Sequence, residues 1–455
     1  MSARAQKACA RPGAQPLAPT ARLAVVGGGW AGLSAAVEAT LAGHRVSVFE
    51  MARQWGGRAR SQEGSGLDNG QHILLGACSA VLALMQHVGV DPQQVLLRRP
   101  LALSWADGRG LELAPGAPAW AFARAVLRCR AWSLAERLHL LARCIGWLGS
   151  GFRCAPTLTV DALCARLPAS VRRLLIDPLC VAALNTPARE ASAAVFLRVL
   201  RDGLLGGPGA SDLLLPRRPL RELLPAPATR WLAAQGAELH LGRRVQVIDG
   251  DGAAWCVDGE RFDGVILAAS VAEAVRLAQP HAPAWASAAA ALRHEPIVTV
   301  YVRAEGARLP LPMLAMAEGP QAPAQFVFDH GRIGVLPGRF AFVVSGAAQW
   351  VERGLEATGT AVLGQASREL AHWHWPAATA SVQAVIAERR ATFRSTPGLR
   401  RPPATIAPGL VAAGDYVEGP YPATLEGAVR AGQAAAVAAC TSTMQNSVSP
   451  VRKPA

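Results

Sequence analysis

The chain has 455 residues, 51% hydrophobic content and nine scattered cysteines, which indicates a globular protein of two or three domains in a reduced compartment and excludes a disulfide framework. Its formal charge of +14 comes almost wholly from arginine and favours anionic partners. Nucleic acid ranks below a membrane surface and is not predicted as a partner, because aromatic residues make up only 5% of the chain and no zinc, RNA-recognition or basic-zipper signature is present.

The two ends of the chain are predicted to lie outside the folded part. Residues 1–19 contain charges but no apolar segment, which predicts a disordered leader and not a secretion signal. Residues 446–455 are predicted to be a flexible tail. No run of 18 apolar residues occurs anywhere, so we expect no membrane span. The cysteine spacing also predicts no metal site.

The first folded stretch, residues 22–50, predicts a strand, a glycine turn, a helix and a second strand that ends on an acid. Gly27, Gly29 and Gly32 have the spacing of a dinucleotide-binding turn. In such a turn the first glycine allows the tight bend, the second admits a diphosphate and the third lets helix and strand pack closely. Glu50 follows Gly27 at close to the roughly 20 residues expected of a carboxylate that binds a ribose hydroxyl.

The residues after Glu50 distinguish between nucleotides. The stretch EMARQWGGRARS resembles the signature that follows the second strand in the amine oxidase and phytoene desaturase flavoproteins. The resemblance implies that Gly56, Gly57 and Arg58 run along the FAD diphosphate towards the flavin. It also implies the fold, an α/β, Rossmann-like FAD-binding domain joined to an α+β substrate domain. FAD is therefore the predicted cofactor.

The substrate domain is predicted from residues 78–212 and 286–384. The first insert has a mainly helical pattern, and the second contains two apolar runs, residues 296–303 and 325–329, that predict strands of a sheet over the flavin. The glycine-rich run 203–212 is predicted to be a linker.

A basic amphipathic segment, residues 119–152, lies inside the first insert. It alternates tryptophan and other apolar side chains with arginines at helical intervals. Such helices either lie in the interface of an anionic bilayer or bury their apolar face and leave the arginines in solvent, and the sequence leaves both open. The expected location is cytoplasmic, with peripheral contact on the inner face of the cytoplasmic membrane left open.

The FAD domain is predicted to be assembled from residues 20–77, 213–285 and 385–445. In the middle piece two returning strands are expected around residues 237–250 and 261–270. The resemblance implies that the backbone of Val245 and Val247 meets the adenine, although two ordinary strands would give the same pattern.

The last piece, GLVAAGDYVEGPYPATLEGAVRAG, predicts a strand, a loop and a helix. Gly414 and Asp415 follow the strand, and the Asp415 carboxylate can accept a hydrogen bond from the ribityl chain or a phosphate-bound water. Thr424, Leu425 and Glu426 open the helix, whose positive N-terminal end would face the flavin N1/O2 edge.

Four stretches outside the glycine motif indicate which family within this flavoprotein superfamily the chain resembles. LDNGQHILLGAC, PLCVAALNTP, AERRATFRSTPGLRRP and YPATLEGAVRAG resemble the hydroxysqualene dehydroxylase family of bacterial squalene and hopanoid biosynthesis, and the resemblance covers residues 22 to 440. It implies that reduced FAD delivers hydride from N5 to an allylic carbon of hydroxysqualene, a hydrophobic C30 isoprenoid, as the hydroxyl leaves. The product would be squalene.

The reaction needs a donor that helps the hydroxyl to leave as water. His72 and Gln71 are the first candidates, followed by Asn185 and Tyr421. Each has an ordinary alternative, since His72 would also bond to backbone in a turn and the residues around Asn185 form a common helix-stop signal. The electron donor stays unidentified, because no second dinucleotide motif is found.

Three other functions remain open at this point. A carotenoid-type isoprenoid desaturase would run hydride transfer in the opposite direction, onto oxidised FAD. A non-catalytic prenyl-binding escort protein would share the architecture, but the intact Glu50, Gly56 to Arg58 and Gly414–Asp415 argue against it. An amine oxidase is the weakest alternative, because no amine-binding aromatic cage is evident.

Overall fold

The computed structural model describes residues 21–250 and 254–448, with residues 441–448 described by their backbone alone. The predicted leader, residues 1–19, lies outside the described residues, as does most of the predicted tail.

The strands are β1 Arg22–Val26, β2 Arg45–Glu50, β3 Leu74–Leu75, β4 Leu96–Arg99, β5 Ala102–Ser104, β6 Gly110–Glu112, β7 Leu213–Pro216, β8 Glu238–Leu241, β9 Ile248–Gly250, β10 Trp255–Val257, β11 Glu260–Phe262, β12 Gly264–Leu267, β13 His294–Arg303, β14 Met313–Ala315, β15 Phe326–Asp329, β16 Arg339–Val344, β17 Ser381–Phe393, β18 Thr405–Ala407 and β19 Leu410–Ala412.

The helices are α1 Trp30–Leu41, α2 Ser79–His87, α3 Pro92–Val95, α4 Pro118–Arg128, α5 Leu134–Gly149, α6 Val160–Cys164, α7 Ala169–Val171, α8 Asp177–Leu184, α9 Ala193–Leu205, α10 Leu220–Leu223, α11 Pro225–Ala234, α12 Val271–Ala278, α13 Pro283–Ala290, α14 His330–Ile333, α15 Ala348–Arg353, α16 Leu355–Glu369 and α17 Leu425–Val448. A π-helical turn, Arg172–Ile176, joins α7 to α8, and a 3₁₀ turn, Ala371–Trp373, follows α16.

A mainly parallel sheet has the strand order β18-β19-β12-β1-β2-β8. Its strands pair in parallel, apart from β18, which runs antiparallel to β19. The central strands are buried along almost their whole length, as expected of a parallel sheet covered on both faces. Helices α1, α11 and α17 share the core on one face, and α12, α13 and the small sheet β9 to β11 share the core on the other. This confirms the predicted α/β fold.

The strands of this sheet come from three separate stretches of the chain, residues 22–50, 238–267 and 405–412. The interface between α1 and α17 holds the first and last stretches together. The Ser34 hydroxyl donates to the Val429 carbonyl at 2.9 Å, and a Cβ at Gly432 would lie 2.2 Å from the Ala31 carbonyl oxygen. Glycine at that position therefore lets the two helices touch backbone to backbone.

A second, antiparallel sheet has the order β14-β15-β16-β13-β17. The two strands expected in the second insert are present as β13 and β15. Residues alternate along β13, so that Val298 and Val300 pack towards α16 while Tyr301 packs towards the helices of the first insert. β17 begins at Ser381, so the expected domain boundary at residue 385 falls inside a strand. The division of the chain into domains stays a prediction.

Two local expectations were wrong. Residues 237–250 do not form one strand, because β8 ends at Leu241 and Gly242 turns the chain with φ of +72°. The run 203–212 is not only a linker, since α9 continues to Leu205. Among residues 21–250 and 254–448, no helix is long and apolar enough to cross a membrane.

Candidate flavin and substrate site

The carboxyl ends of β1, β2, β12 and β19 meet at one edge of the parallel sheet, because these strands run in the same direction. Gly27 follows β1, Glu50 ends β2 and Gly414 follows β19 closely. This edge is where open α/β sheets bind their ligands. Residues that the sequence marked in the first and last parts of the chain thus lie at a common edge.

The turn between β1 and α1 leaves no room for side chains. Gly27 has φ of +116°, and a Cβ there would lie 2.4 Å from the Ala268 carbonyl oxygen. A Cβ at Gly32 would lie 1.8 Å from the Gly27 carbonyl oxygen. Gly29 is the N-cap of α1 and supplies no side-chain cap. The first amides of α1 are therefore left for an anionic group, as in a diphosphate-binding turn.

The Glu50 carboxylate is buried at the end of β2 and is held by two backbone amides. Oε2 accepts from the Gly28 amide at 2.7 Å, and Oε1 accepts from the Ala52 amide at 2.7 Å. These two bonds fix the carboxylate beside the glycine turn. A carboxylate has about four acceptor positions, so it retains capacity for the ribose hydroxyls that its position predicts.

The paired glycines pack directly on the first turn. Gly56 and Gly57 have φ of +113° and +62°, and the Gly56 amide donates to the Gly28 carbonyl at 2.9 Å. A Cβ at Gly57 would lie 3.1 Å from the Gly29 Cα. Two glycine turns thus form a backbone cradle that side chains would fill, and this cradle fits the diphosphate of FAD.

Arg58 joins the two distant halves of the site. Its guanidinium forms an ion pair with the buried Asp415 carboxylate and donates to the Ala391 carbonyl at 3.0 Å. Burial opposes the charge of Arg58, but the Asp415 carboxylate outweighs it and the pKa of Arg58 is raised. Arg58 was expected along the diphosphate and Asp415 at the ribityl chain, and the structure pairs them with each other.

An unsatisfied polar atom lies beside this ion pair. The Tyr416 side chain is buried, and its hydroxyl has no hydrogen-bond partner among the described residues. Buried polar groups are normally hydrogen-bonded, so such an atom is expected where a polar ligand completes the site. The pairing of a glycine cradle with this hydroxyl fits FAD.

The start of α17 lies next to Asp415. The Ala423 amide donates to the Asp415 carbonyl at 3.2 Å, and the Thr424 hydroxyl accepts from the Gly427 amide at 2.9 Å. Leu425 is the first residue of α17. The expected helix start is therefore confirmed, and its N-terminus lies near the ion pair.

The Glu426 side chain was expected at the cofactor, but its contacts are with the start of α2 and with Arg430. Its two carboxylate oxygens accept from the Ala80 and Val81 amides at 3.0 Å each, and it pairs with Arg430 at 2.7 Å. The carboxylate thus stabilises the N-terminus of α2. Only the backbone of Glu426, in the first turn of α17, remains as a predicted cofactor contact.

The segment around Val245 lies beside Glu50, because the Arg243 amide donates to the Glu50 carbonyl at 2.9 Å. The Val245 carbonyl accepts from Arg276 at 2.6 Å, and the Val247 amide donates to Asp258 at 2.9 Å. An adenine would have to replace these partners to use the same groups. The adenine contact stays a prediction.

The first catalytic candidates lie between the two sheets. The Asn69 side chain bonds to the backbone of Arg58 and Arg60, which holds the segment 68–72 against residues 56–60, the predicted flavin-binding loop. On its other side this segment contacts β13, where the Tyr301 hydroxyl donates to the Asp68 carbonyl at 3.0 Å. Gln71 and His72 are therefore placed at the junction of the expected flavin site and the antiparallel sheet.

The His72 ring bonds to its own turn. Nδ1 lies 2.9 Å from the Gly70 carbonyl oxygen, so the neutral ring donates from Nδ1 and leaves Nε2 as an acceptor. Burial lowers the pKa of His72. His72 therefore donates a proton from Nε2 only in its imidazolium form, which is the minor form at neutral pH.

A chain of buried side chains fixes Gln71. Arg339 Nε donates to His330 Nδ1 at 2.9 Å, so His330 Nε2 carries the proton and donates to Gln71 Oε1 at 2.9 Å. Gln71 Nε2 in turn donates to the His72 carbonyl at 3.3 Å. Burial and the charge of Arg339 lower the pKa of His330 to about 3.

Sequence reasoning missed His330 and Arg339, which are more than 250 positions from Gln71. Only a weak feature of the sequence pointed to these two residues. His330 directly follows the expected strand 325–329, and its position opposite Gln71 depends on the pairing of β13, β15 and β16.

The contacts of Asn185 do not support its expected catalytic role. Its amide nitrogen donates to the Glu295 carbonyl at 3.2 Å and to the Thr392 hydroxyl at 2.9 Å, and its oxygen accepts from the Gly346 amide at 2.7 Å. Both amide hydrogens are thus bonded within the protein. Asn185 ends α8 in the left-handed conformation and ties that helix to the antiparallel sheet.

Tyr421 is placed with charged neighbours. Its ring lies under the Arg430 guanidinium, 5.1 Å from centroid to Cζ. Burial and the nearby Asp202 carboxylate raise the pKa of Tyr421. The hydroxyl of Tyr421 therefore stays protonated at neutral pH, but its recorded contacts are not with Gln71 or His72, and its catalytic role stays a prediction.

Comparison with known proteins supports the flavoprotein family that the sequence motifs predict. A family model of flavin containing amine oxidoreductases matches residues 30–440. A hydroxysqualene dehydroxylase of Rhodopseudomonas palustris is 30% identical over 438 residues, which cover 90% of this chain and 96% of that protein. The chain belongs to the flavin containing amine oxidoreductases and, among them, to the hydroxysqualene dehydroxylase family.

A second relative agrees with this membership, and a solved structure shows the fold. A hydroxysqualene dehydroxylase of Sinorhizobium fredii is 28% identical over 443 residues, which cover 92% of this chain and 98% of that protein. The solved structure of an oxidoreductase from Methanosarcina mazei has a TM-score of 0.70 at 16% identity and covers 91% of this chain and 99% of its own. The chain is therefore an FAD-dependent oxidoreductase, and the fold expected from its motifs is confirmed.

Proposed function

We propose that this enzyme reduces hydroxysqualene to squalene, in bacterial squalene and hopanoid biosynthesis. Membership of the hydroxysqualene dehydroxylase family supports the substrate. The observation that carries the proposal is the position of Gln71 and His72, which are held between the flavin-binding loop and an extended apolar cluster.

The apolar cluster suits a long isoprenoid. Tyr301, Phe326 and Phe328 on the sheet pack with side chains of the helices α4 to α9. Ile73, directly after His72, and Ile386 on β17 are partly buried against the same cluster. A hydrocarbon chain held here would be shielded from water, which protects an allylic cation during hydroxyl loss.

Bound FAD in its reduced form supplies the hydride that forms the new C–H bond at the allylic carbon. The C–O bond breaks and the hydroxyl leaves with one proton as water. The imidazolium form of His72 is the group that would give that proton from Nε2, since Nδ1 is engaged with the Gly70 carbonyl. The chain from Arg339 through His330 holds the Gln71 amide beside it. An external donor has to reduce the flavin again.

The test is a single turnover without oxygen. The FAD-loaded enzyme is photoreduced and mixed anaerobically with hydroxysqualene, and we expect flavin reoxidation together with an equal amount of squalene by mass spectrometry. A parallel sample with squalene in place of hydroxysqualene is the control and should leave the flavin reduced. No squalene from the reduced enzyme, with dehydrogenation of squalene or phytoene by the oxidised enzyme instead, would replace the proposal by a desaturase.

A further inference from the structure

Helix α5 has two apolar faces, and only one of them is covered. Leu140 and Trp147 are buried in the core. Leu134, Leu138, Ile145 and Leu148 are 63%, 53%, 69% and 53% exposed. The exposed residues, with the half-buried Leu141, recur at alternating steps of four and three, so they form one stripe along the helix.

The helix that carries this stripe is well defined. Ser133 and Glu136 form a capping box, in which the Glu136 amide donates to the Ser133 hydroxyl at 3.3 Å and the Ser133 amide donates to Glu136 at 2.7 Å. Arg137 donates to the carbonyls of Leu127 and Trp132 at 2.8 Å each. The stripe is thus a fixed surface, and α5 is tied to the end of α4.

Helix α4 and the residues after it add positive charge and an exposed tryptophan. Trp120 is 76% exposed and Leu127 is 46% exposed. Arg124, Arg128 and Arg130 are also exposed. Between residues 118 and 149 the sole acidic residue is Glu136, and its carboxylate is bonded to Ser133 and Ser170. Elsewhere in the described chain, exposed large apolar side chains are scattered.

We propose that the exposed faces of α4 and α5 bind the surface of an anionic lipid bilayer. A fixed row of leucine and isoleucine, a nearby tryptophan and a group of arginines are the features with which interfacial helices bind such membranes. The charge argues against a second copy of the chain as the occupant, because two such surfaces would bring arginines against arginines.

The inner side of α5 lines an apolar cavity. A cavity of about 30 Å³ lies between α4, α5, α8 and α9 and is lined by apolar side chains that include Phe122, Cys144, Trp147 and Leu200. Helix α5 therefore lies between the proposed membrane surface and the apolar interior. If the C30 substrate of the proposed function is correct, this places the enzyme where that substrate is dissolved, but the binding itself does not depend on it.

The experiment measures binding of the full-length FAD-loaded protein to vesicles by co-sedimentation. We expect binding to vesicles of phosphatidylglycerol and phosphatidylcholine, weak binding to phosphatidylcholine alone, and loss of binding as salt is raised. The variant Leu138→Glu/Ile145→Glu should bind at least about tenfold more weakly. The variant Arg124→Gln/Arg128→Gln should lose about fivefold for each arginine, and only with anionic vesicles.

The matched control is Leu41→Glu at the end of α1, where the leucine is 51% exposed. It should bind vesicles like the wild type, and all variants should keep their flavin absorbance and melting temperature. A wild type that does not sediment with anionic vesicles, or an equal loss in Leu41→Glu, would overturn the proposal. So would a wild-type dimer that Leu138→Glu/Ile145→Glu converts to a monomer without changing vesicle binding. Binding without squalene formation would count against the proposed function alone.

Discussion

The predicted nucleotide-binding edge of the parallel sheet is built from backbone, whereas the proposed catalytic junction at the antiparallel sheet is built from side chains. At the edge, a Cβ at Gly27 or Gly32 would overlap a carbonyl oxygen. At the junction, Gln71 depends on His330 and Arg339 from distant strands. A backbone site has no tolerance for added atoms, while a network of side chains loses its function in steps. The two regions should therefore respond differently to substitution.

The largest effect is expected for Gly32→Val. Its Cβ would lie 1.8 Å from the Gly27 carbonyl oxygen, so α1 has to move away from β1. We expect loss of bound FAD and about 3 kcal/mol or more of unfolding free energy. The ratio of flavin absorbance to protein and a urea unfolding curve measure both.

The control for this change is Gly203→Ala in α9, where an added Cβ meets no atom within 4 Å. Alanine favours a helix over glycine by roughly 0.5–1 kcal/mol, so stability should rise slightly or stay unchanged. A Gly32→Val protein that retained full flavin would show that the cradle is not the binding site.

The next largest effect is expected for His72→Gln, in the side-chain region. Glutamine retains hydrogen bonding but cannot give up a proton, and loss of a general acid typically costs about 10²-fold or more in rate. Because burial lowers the pKa of His72, its acid form accumulates only as pH falls below the usual histidine range. The wild-type single-turnover rate should therefore rise as pH falls through about 6.5 and below.

In His72→Gln that acidic rise should be absent while the flavin content is unchanged. A rise of equal size in the variant would assign the proton to another group. A profile that is flat in both proteins would remove His72 from the chemistry and leave it as a hydrogen-bond donor to the Gly70 carbonyl in its turn.

The difference between a site built from backbone and a network of side chains also determines how much of the site could be predicted from the sequence. Gly27, Gly29, Gly32 and Glu50 could be predicted together because the pattern depends on local spacing within one strand, turn and helix, and the structure brings them to one edge of the sheet. The ion pair between Arg58 and Asp415 could not be found in this way, since its members were assigned separately to the cofactor and meet only through the fold.

The side chains at the proposed catalytic junction were harder still to predict from the sequence. Gln71 and His72 were identified through a resemblance, but His330 and Arg339 depend on strand pairing that no local pattern shows. Asn185 and Glu426 show the opposite case, because these polar residues in conspicuous motifs bond to the Thr392 hydroxyl and to the α2 amides, contacts that do not support the predicted roles. Buried polar groups require partners, and this requirement alone explains their presence.

A smaller effect is expected where the two regions meet, in Arg58→Met. The change leaves the buried Asp415 carboxylate without its cation, but Arg58 itself is half-buried, so we expect about 2 kcal/mol, between exposed and buried pairs. Asp415→Asn removes the charge that needs pairing. In a double-mutant cycle measured by urea unfolding, the two losses should therefore not add. Strict additivity would mean that the ion pair contributes nothing to joining the two halves.

The smallest effect is expected for His330→Gln and concerns pH. Glutamine can accept from Arg339 and donate to Gln71, so the chain of hydrogen bonds is kept. In the wild type the folded pKa of His330 is about 3, below the value of about 6.5 in an unfolded chain. Between these two values the unfolded state binds more protons, so stability falls as pH falls.

From about pH 7.5 to about pH 5.5 this one group should lower the unfolding free energy of the wild type by about 1 kcal/mol. The His330→Gln protein lacks the group and should lose that much less over the same interval. The comparison cancels other titrating groups, including His72, because they are present in both proteins. Equal losses in the two proteins would mean that His330 takes up its second proton in the fold as readily as in the unfolded chain, which would protonate Nδ1 and deprive Arg339 of its acceptor.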